Sequence, residues 1–573
     1  MNNINDASAH EIGGRMPSIP GPYCSPEHTE SLPLKHAGAG SRASGLRSVT
    51  HCFSGSADKS GCGLRMIVLC FVALTLAVVI ALAVQIYYGD YQLVPHGSVA
   101  TDSAVCSLVG TDIMKNGGNA VDAAVAATFC LGVVNPHVTG LGGGGFMIIY
   151  SHRTQSILDV IDFREVAPAT INISNDAPGS YVGVPGVLGG LAMAHQLHGI
   201  LPWADVIMPA VRIARSGFHV SETLFAAKSH LHLSRFNGRL VEWMAELEAG
   251  QNLTLPELAA TLEEIAVKGP DVFYNGSLGQ DVIQAVASAG GQMREQDLAA
   301  YQAVRRPALK TVFADFNILV PDVPSGGPAL LATLKLLPDI NSSAGEQGTS
   351  LPHLVSLANA SENVYRKAFL GIWGDPDFSA EKYEHDYDGG EIAWGKLTQS
   401  VGSHVAAADI NDIYVSVVRY DCLLTNHGFL LNNALTNFGL GKNSPFPGKR
   451  PISLATPVIA TEKRRVCGRR LLIGSADAAV ASQVLSRLLV LDKNITLSIE
   501  APRFQIADGN NSVFVEDQHE PPLSKNAQEY LQIFGYHLQA LPKPYQSCNI
   551  VEKIGDYLSS HSDSRGGGLA SRF

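Results

Sequence analysis

The stretch from Asn119 to Arg164 constrains this chain more than any other. Ala120, Val121, Ala123, Ala124, Ala126 and Leu131 recur at helical spacing among good helix formers, and Asn135-Pro136 follows as a stop signal. The spacing predicts a buried helix ending near Val134. Next come the glycines of Gly140 to Gly145 and then Phe146-Met-Ile-Ile-Tyr150, too short for a helix and rich in β-formers, which reads as a core strand. A second apolar segment, Ile157 to Phe163, delivers Arg164 and Glu165 at its end. Serial glycines remove side chains where a ligand or another backbone must come close. Gly140, Gly142 and Gly145 also spell a formal G-x-G-x-x-G, but a helix precedes them and a strand follows, the reverse of the order that a dinucleotide site needs.

With 573 residues and 46% apolar content, the chain can bury one or two large cores. Its net charge of -11, without a basic block, argues against nucleic acid as a partner. There is no CxxC pair and no HExxH, so neither a metal site nor a cofactor is expected. Residues 1–65 are polar and rich in Gly, Ser, Pro and His, and read as a disordered cytosolic tail. Met66 to Tyr88 carries no charge and at helical rise covers roughly 30 Å, the thickness of a bilayer core. A cleaved signal would be shorter and nearer the N-terminus. Arg42, Arg47, Lys59 and Arg65 precede this span, whereas Asp90, Asp102 and Asp112 come before the first downstream lysine, Lys115, which leaves the N-terminus in the cytosol. N-x-[ST] sequons at Asn172, Asn252, Asn275, Asn341, Asn359, Asn494 and Asn510 all follow the span, as expected for glycosylation of an extracellular or lumenal C-terminal region. The expectation is a single-pass type II membrane protein.

Gly118-Asn-Ala-Val-Asp-Ala-Ala124, Gly142 to Phe146 and Arg164-Glu-Val-Ala-Pro168, in that order, resemble the large subunit of the gamma-glutamyltransferase (glutathione hydrolase) family. Val182 to Gly186, Gly199 to Trp203, Gly290-Gly291, Pro324 to Pro328 and Gly374 to Phe378 extend the likeness over roughly residues 89–480. Gln85 to Asp90 and the tract leading to Cys106 are most similar to the type-7 branch. The resemblance implies an α/β fold, a four-layer αββα sandwich of the N-terminal-nucleophile hydrolase type, behind the single N-terminal transmembrane helix. It further implies a large-subunit-like region 89–401, a small-subunit-like region 402–573 and a disulfide between Cys106 and Cys130. In that family a precursor cuts itself, and the new N-terminal threonine attacks the gamma-glutamyl amide of glutathione, passing the acyl group to water or an amino acid. An arginine holds the donor carboxylate, an aspartate its amine, and the N–H groups of a Gly-Gly pair the oxyanion.

Carried over residue by residue, the resemblance assigns Arg164 to the donor carboxylate, with a structural salt bridge as the alternative. The nucleophile segment should read Thr-x-His. Here it reads Thr398-Gln-Ser-Val-Gly-Ser-His-Val405, and aligning His404 puts Gly402, which has no hydroxyl, in the threonine's place. Ser403 is the substitute by a one-residue shift, although strand alternation aims its hydroxyl to the opposite face. Ser400 and Thr398 have the right parity but lie about 7 and 13 Å away along an extended strand. Ile413 to Val418 runs into Arg419 to Cys422 without the family's Thr-x-x-Asn, and Thr436-Asn437 stands where a pair of aspartates binds the donor amine. Ser453 is kept from a serine pair, with Leu454 in place of the second. Asp477 and Ala478 occupy the oxyanion segment in place of glycines, and a carboxylate facing the site there would oppose the developing charge. Three functions stay open: an impaired member that binds glutathione or another gamma-glutamyl compound, an active enzyme that uses Ser403, and a scaffold for other membrane proteins. The glycine run Gly566 to Gly568 marks the tail Ser559 to Phe573 as disordered.

Overall fold

The computed structural model describes residues 59–88, 95–171, 177–228, 246–337, 351–369, 371–377, 402–420, 423–424, 428–491, 493–506 and 511–573. The polar tail up to residue 58, the sequon asparagines Asn172, Asn341 and Asn510, and Thr398, Ser400 and Cys422 lie outside the described residues. Two units are distinguished, residues 1–94 and 95–573.

In the first unit, helix α1 (Lys59–Tyr88) contains the stretch Met66–Val84, which has a mean hydropathy of 3.2 and is long and apolar enough to cross a membrane. The helix starts before the expected Met66, at Lys59, because extending a nucleated helix adds one hydrogen bond per residue fixed.

The second unit is built on helix α2 (Ala104–Lys115) and helix α3 (Ala120–Val134). Asn119 caps α3 by accepting from the N–H groups of Val121 and Asp122, while the Asp122 carboxylate takes the Asn119 N–H, so both ends of a capping box are filled. Asp409, far away in sequence, accepts from Ala120 N at 3.0 Å. The helix is apolar on nearly every side and almost wholly buried, as a helix without an amphipathic stripe must be. Cys106 of α2 and Cys130 of α3 are disulfide-bonded, with 5.4 Å between Cα atoms. Cys467 is also disulfide-bonded, whereas Cys548 is a buried free thiol.

The strands that frame the site are β1 (Ser98–Ala100), β2 (Gly144–Ser151), β3 (Ser156–Asp162), β4 (Val304–Arg305), β5 (Ala308–Phe313), β6 (Phe316–Pro321), β7 (Ser403–Ala408), β8 (Ile413–Tyr420), β9 (Leu430–Leu431), β10 (Thr456–Glu462), β11 (Arg470–Ser475), β12 (Asn549–Ile554), β13 (Tyr557–His561) and β14 (Ser571–Arg572). One sheet has the order β14-β1-β7-β8-β2-β3-β4, the other β13-β12-β11-β10-β6-β5, and every pairing within them is antiparallel. Side-chain alternation sorts each strand into two faces. Val405 and Ala407 join Met147, Ile149 and α3 in one core, while Ala406 and Ala408 join Ile148 and Tyr150 with Ile459, Leu472 and Val551 of the other sheet. A further core holds Val458 and Ile473 against helices α4 (Gly327–Leu336), α5 (Leu351–Phe369) and α6 (Ala478–Leu489).

The C-terminal tail corrects the sequence expectation. It is ordered: β13 pairs with β12, β14 pairs with β1, and the Phe573 carbonyl accepts from His96 N and Gly97 N. The glycine run does not unravel it, because Arg565 beside the glycines is buried among carboxylates and carbonyls.

Gly142 shows what the glycine cluster is for. It bridges Leu431 of β9, and a Cβ there would collide with the Leu430 carbonyl oxygen, so the close approach is made by another strand. Gly142→Ala should therefore lower stability by about 2–3 kcal/mol, the usual cost of overpacking. A urea melt of the variant beside the parent chain checks this, and an unchanged midpoint would contradict the close approach of Gly142 to β9.

Candidate functional site

Backbone register assembles the site. Ser403 pairs with Arg419, Arg419 with Gly145, and Gly145 exchanges both backbone hydrogen bonds with Phe163. Gly402, Gly144 and Arg164 therefore share the next row at the same end of one sheet. Gly402 and Arg164 are separated by three inter-strand steps, roughly 14 Å. Ser453, just ahead of β10, and Asp477, just after β11, lie at one end of the other sheet, where Thr456 pairs with Ser475. Phe146, Ala455 and Ala476 pack together there as a small apolar floor.

Arg164 is only 1% exposed. Its Nη1 pairs with the Glu165 carboxylate, Nε donates to the Pro451 carbonyl at 3.3 Å, and its own N–H goes to Asp162 Oδ1 at 2.8 Å. Burial pushes the Glu165 carboxyl above the ordinary carboxylate range even though the Arg164 charge opposes the shift. The ion pair with Glu165 is the structural role that competed with carboxylate binding in the sequence. Asp162 continues the charge network: Arg306 Nε reaches Oδ2 at 2.9 Å, and Asp375 accepts from Arg306 Nη2 at 3.1 Å and from Arg450 N at 2.9 Å.

Ser403 faces the same side as Val405 and Ala407, the side of α3. Its hydroxyl donates to Asp102 Oδ2 at 2.6 Å, and that oxygen also accepts from His404 N at 3.2 Å. Asn549 holds the other oxygen at 2.7 Å. Burial raises the Asp102 carboxyl above its usual range, against the bonds from Ser403 and Asn549 that lower it. His404 has the opposite parity, and its Nε2 lies 2.7 Å from Ser416 Oγ, which in turn donates to the Ile473 carbonyl across the sheets. Burial pulls the His404 imidazole down to about 3, so it is neutral at pH 7. Gly402 is held at both backbone groups by one side chain: its N–H donates to Gln546 Oε1 at 3.2 Å, and its carbonyl accepts from Gln546 Nε2 at 3.3 Å.

The Asp477 carboxylate, in the segment that the resemblance assigns to the oxyanion, is held by structural partners. It caps α6 by accepting from Ala479 N at 2.8 Å and takes the hydroxyl of Tyr365 on α5. The Asp477 N–H donates to Ser475 Oγ at 3.3 Å. Ala478 is the first residue of α6 and is buried. Asn437 is buried, and its carbonyl accepts from Asn443 Nδ2 at 2.7 Å, while Asn443 Oδ1 takes the N–H of Ile452. Ser453 Oγ accepts from Ala455 N at 3.0 Å. Register thus brings together Gly402 and Arg164 on one sheet and Ser453 and Asp477 on the other, while Ser403 points elsewhere.

Sequence reasoning missed Asp102, Gln546 and Asn549, whose bonds to Ser403, Gly402 and Asp102 span 144 to 447 residues. Asn432, which with Asn433 is retained from the family's small-subunit motif, is a hub: it donates to the carbonyls of Gly142 and Gly183 at 2.7 and 2.8 Å and accepts from Gly183 N. Among the described residues no group of His, Cys, Asp and Glu could hold a metal ion.

The two sheets with flanking helices define a class. A cephalosporin acylase from Bacillus halodurans superposes over 84% of this chain and 96% of its own with a TM-score of 0.70, at 20% identity, so the two share a fold. The gamma-glutamyltranspeptidase family model matches residues 106–573, and the chain belongs to that family. It is 31% identical to glutathione hydrolase 7 of Rattus norvegicus over 85% of this chain and 81% of the relative. It is also 31% identical to glutathione hydrolase 2 of Arabidopsis thaliana, over 71% of this chain and 80% of the relative.

Proposed function

We propose that this chain is a single-pass type II membrane protein of the gamma-glutamyltransferase family whose extracellular or lumenal region no longer carries out acyl transfer. The carrying observation is Gly402, the residue aligned with the nucleophilic threonine. A glycine has no hydroxyl to perform the acyl shift that opens the precursor or to attack a gamma-glutamyl amide. Ser403 is a poor replacement, since its hydroxyl is already given to Asp102 on the opposite face. The two-sheet core is read as the four-layer αββα sandwich, with residues 89–401 and 402–573 as subunit-like halves of one uncut chain. The type II orientation rests on the charges flanking α1 and on the sequons. Asn252, Asn275, Asn359 and Asn494 are all exposed, as glycan acceptors must be.

Glutathione or another gamma-glutamyl compound is the ligand class that the family offers. A second reading, a scaffold for membrane-protein partners, is favoured by the burial of Arg164 against Glu165 and Pro451, which leaves its guanidinium structurally employed. Immunoblotting the deglycosylated protein with antibodies to each half tests the proposal. A single band near the full-length mass is expected, with no fragment beginning at Gly402 or Ser403. Two bands with a new N-terminus at either residue would overturn it. For the ligand, calorimetry with glutathione should give no heat beyond dilution if the scaffold reading holds, and a saturable signal lost in Arg164→Ala if the pocket is kept.

A further inference from the structure

Three arginines converge where the end of α6 meets helix α7 (Ile495–Glu500) and the turn after β13. Arg487, Arg503 and Arg565 are all buried, at 3%, 0% and 5% exposure. Among the described residues, two buried carboxylates face them. Asp563 pairs with Arg503 at 2.8 Å and Arg565 at 3.2 Å, and Glu516 pairs with Arg565 at 2.6 Å. Glu500, at the end of α7, is partly exposed and engaged with His561 and Ser564. Among the described residues the set therefore carries one positive charge more than its buried carboxylates neutralise.

The unmatched charge is on Arg487. Its Nη2 donates to the Pro502 carbonyl at 2.6 Å, but Nε and Nη1 are buried and have no partner among the described residues. Arg503 Nε is likewise unpartnered, whereas Arg565 uses all three nitrogens on Glu516, Asp563 and the carbonyls of Ile499 and Ala501. Burial and the neighbouring Arg503 and Arg565 charges pull Arg487 down to about 9, which still leaves it charged at pH 7. His353 on α5 supplies no negative charge: burial, with help from Arg487, holds it neutral, down to about 4.

We infer that a small monovalent anion of chloride's class binds here, held by Arg487 Nε and Nη1 with Arg503 Nε beside it. A buried, unneutralised guanidinium is costly. A water molecule would fill the donors but leave the charge, and a dianion would be repelled by Glu516, so a monovalent anion satisfies both requirements. The site has no part in acyl transfer. It stands behind Gly402, because Arg503 Nη1 also donates to the Gln546 carbonyl and Gln546 holds Gly402.

The test uses the full-length protein in detergent, exchanged into sodium gluconate, with chloride titrated in at constant ionic strength. A saturable rise of roughly 2 °C or more in the unfolding midpoint is expected, reproduced by bromide and absent in Arg487→Met, whose unneeded charge is gone. Superimposable melts in chloride and gluconate, or an undiminished chloride response in Arg487→Met, would overturn the inference. Should that variant fail to fold, bromide-soaked crystals of the parent protein decide: an anomalous peak at the Arg487 guanidinium supports the site, and its absence refutes it.

Discussion

Incubated with a gamma-glutamyl anilide, the purified protein will release anilide at a rate on the order of 10⁶ below what a nucleophile-bearing site achieves, the scale of loss when a hydrolase is stripped of its nucleophile. The same residue governs a second, sharper outcome. Gly402→Thr restores a hydroxyl at the head of β7 but not turnover, because the Asp477 N–H is spent on Ser475 Oγ and the Asp477 carboxylate is fixed as the cap of α6. One missing oxyanion donor alone costs about 10² to 10³ in rate. Single-turnover assays on the parent, Gly402→Thr and Ser403→Ala separate the cases. A parent activity abolished by Ser403→Ala would make Ser403 the nucleophile and overturn the reading of the site.

Two buried histidines will make acidification destabilising from about pH 6.5 downward, against the opposite contribution of buried carboxyls such as Glu165 and Asp102 that burial raises. His404 and His137 are both pulled down to about 3 by burial. An exposed histidine titrates near 6.5, so below that pH the unfolded chain takes up a proton that the folded chain refuses. The stability these groups contribute is full above roughly pH 6.5 and is lost progressively as the pH falls toward 3. Each loses about 1.4 kcal/mol per pH unit, so about 3 kcal/mol per group has gone by roughly pH 4.5. Urea midpoints measured between pH 7.5 and 4.5 should show this slope, and His404→Gln should reduce it by one proton. A flat profile to pH 5 would show that these imidazoles are charged in the fold.

The central part of this fold was legible because its signals are local. Periodicity and the Asn135-Pro136 stop gave α3 its end at Val134, and short apolar runs gave β2 and β3. The capping role of Asp477 was also written locally, as an aspartate directly ahead of the helical run Ala478–Leu489, but the family pattern drew attention to the missing glycines instead. Residues whose work is tertiary left no local trace. Asp102 acts on Ser403 and Asn549, and Gln546 on Gly402, across gaps of 144 to 447 residues. The tail misled for a related reason: its glycines are visible in composition, whereas the buried partners of Arg565 are not.

β1 lies between β7 and β14, so the first strand of the second unit is hydrogen-bonded on one side to Ser571 and Arg572, far later in the sequence. Translation delivers β14 later than the other six strands of the sheet. The seven-stranded sheet therefore gains this edge strand last, and a chain stopped before β14 carries β1 with a bare edge. Loss of β14 would thus be felt far upstream in the sequence, as an open β1 edge available to other chains or to quality control.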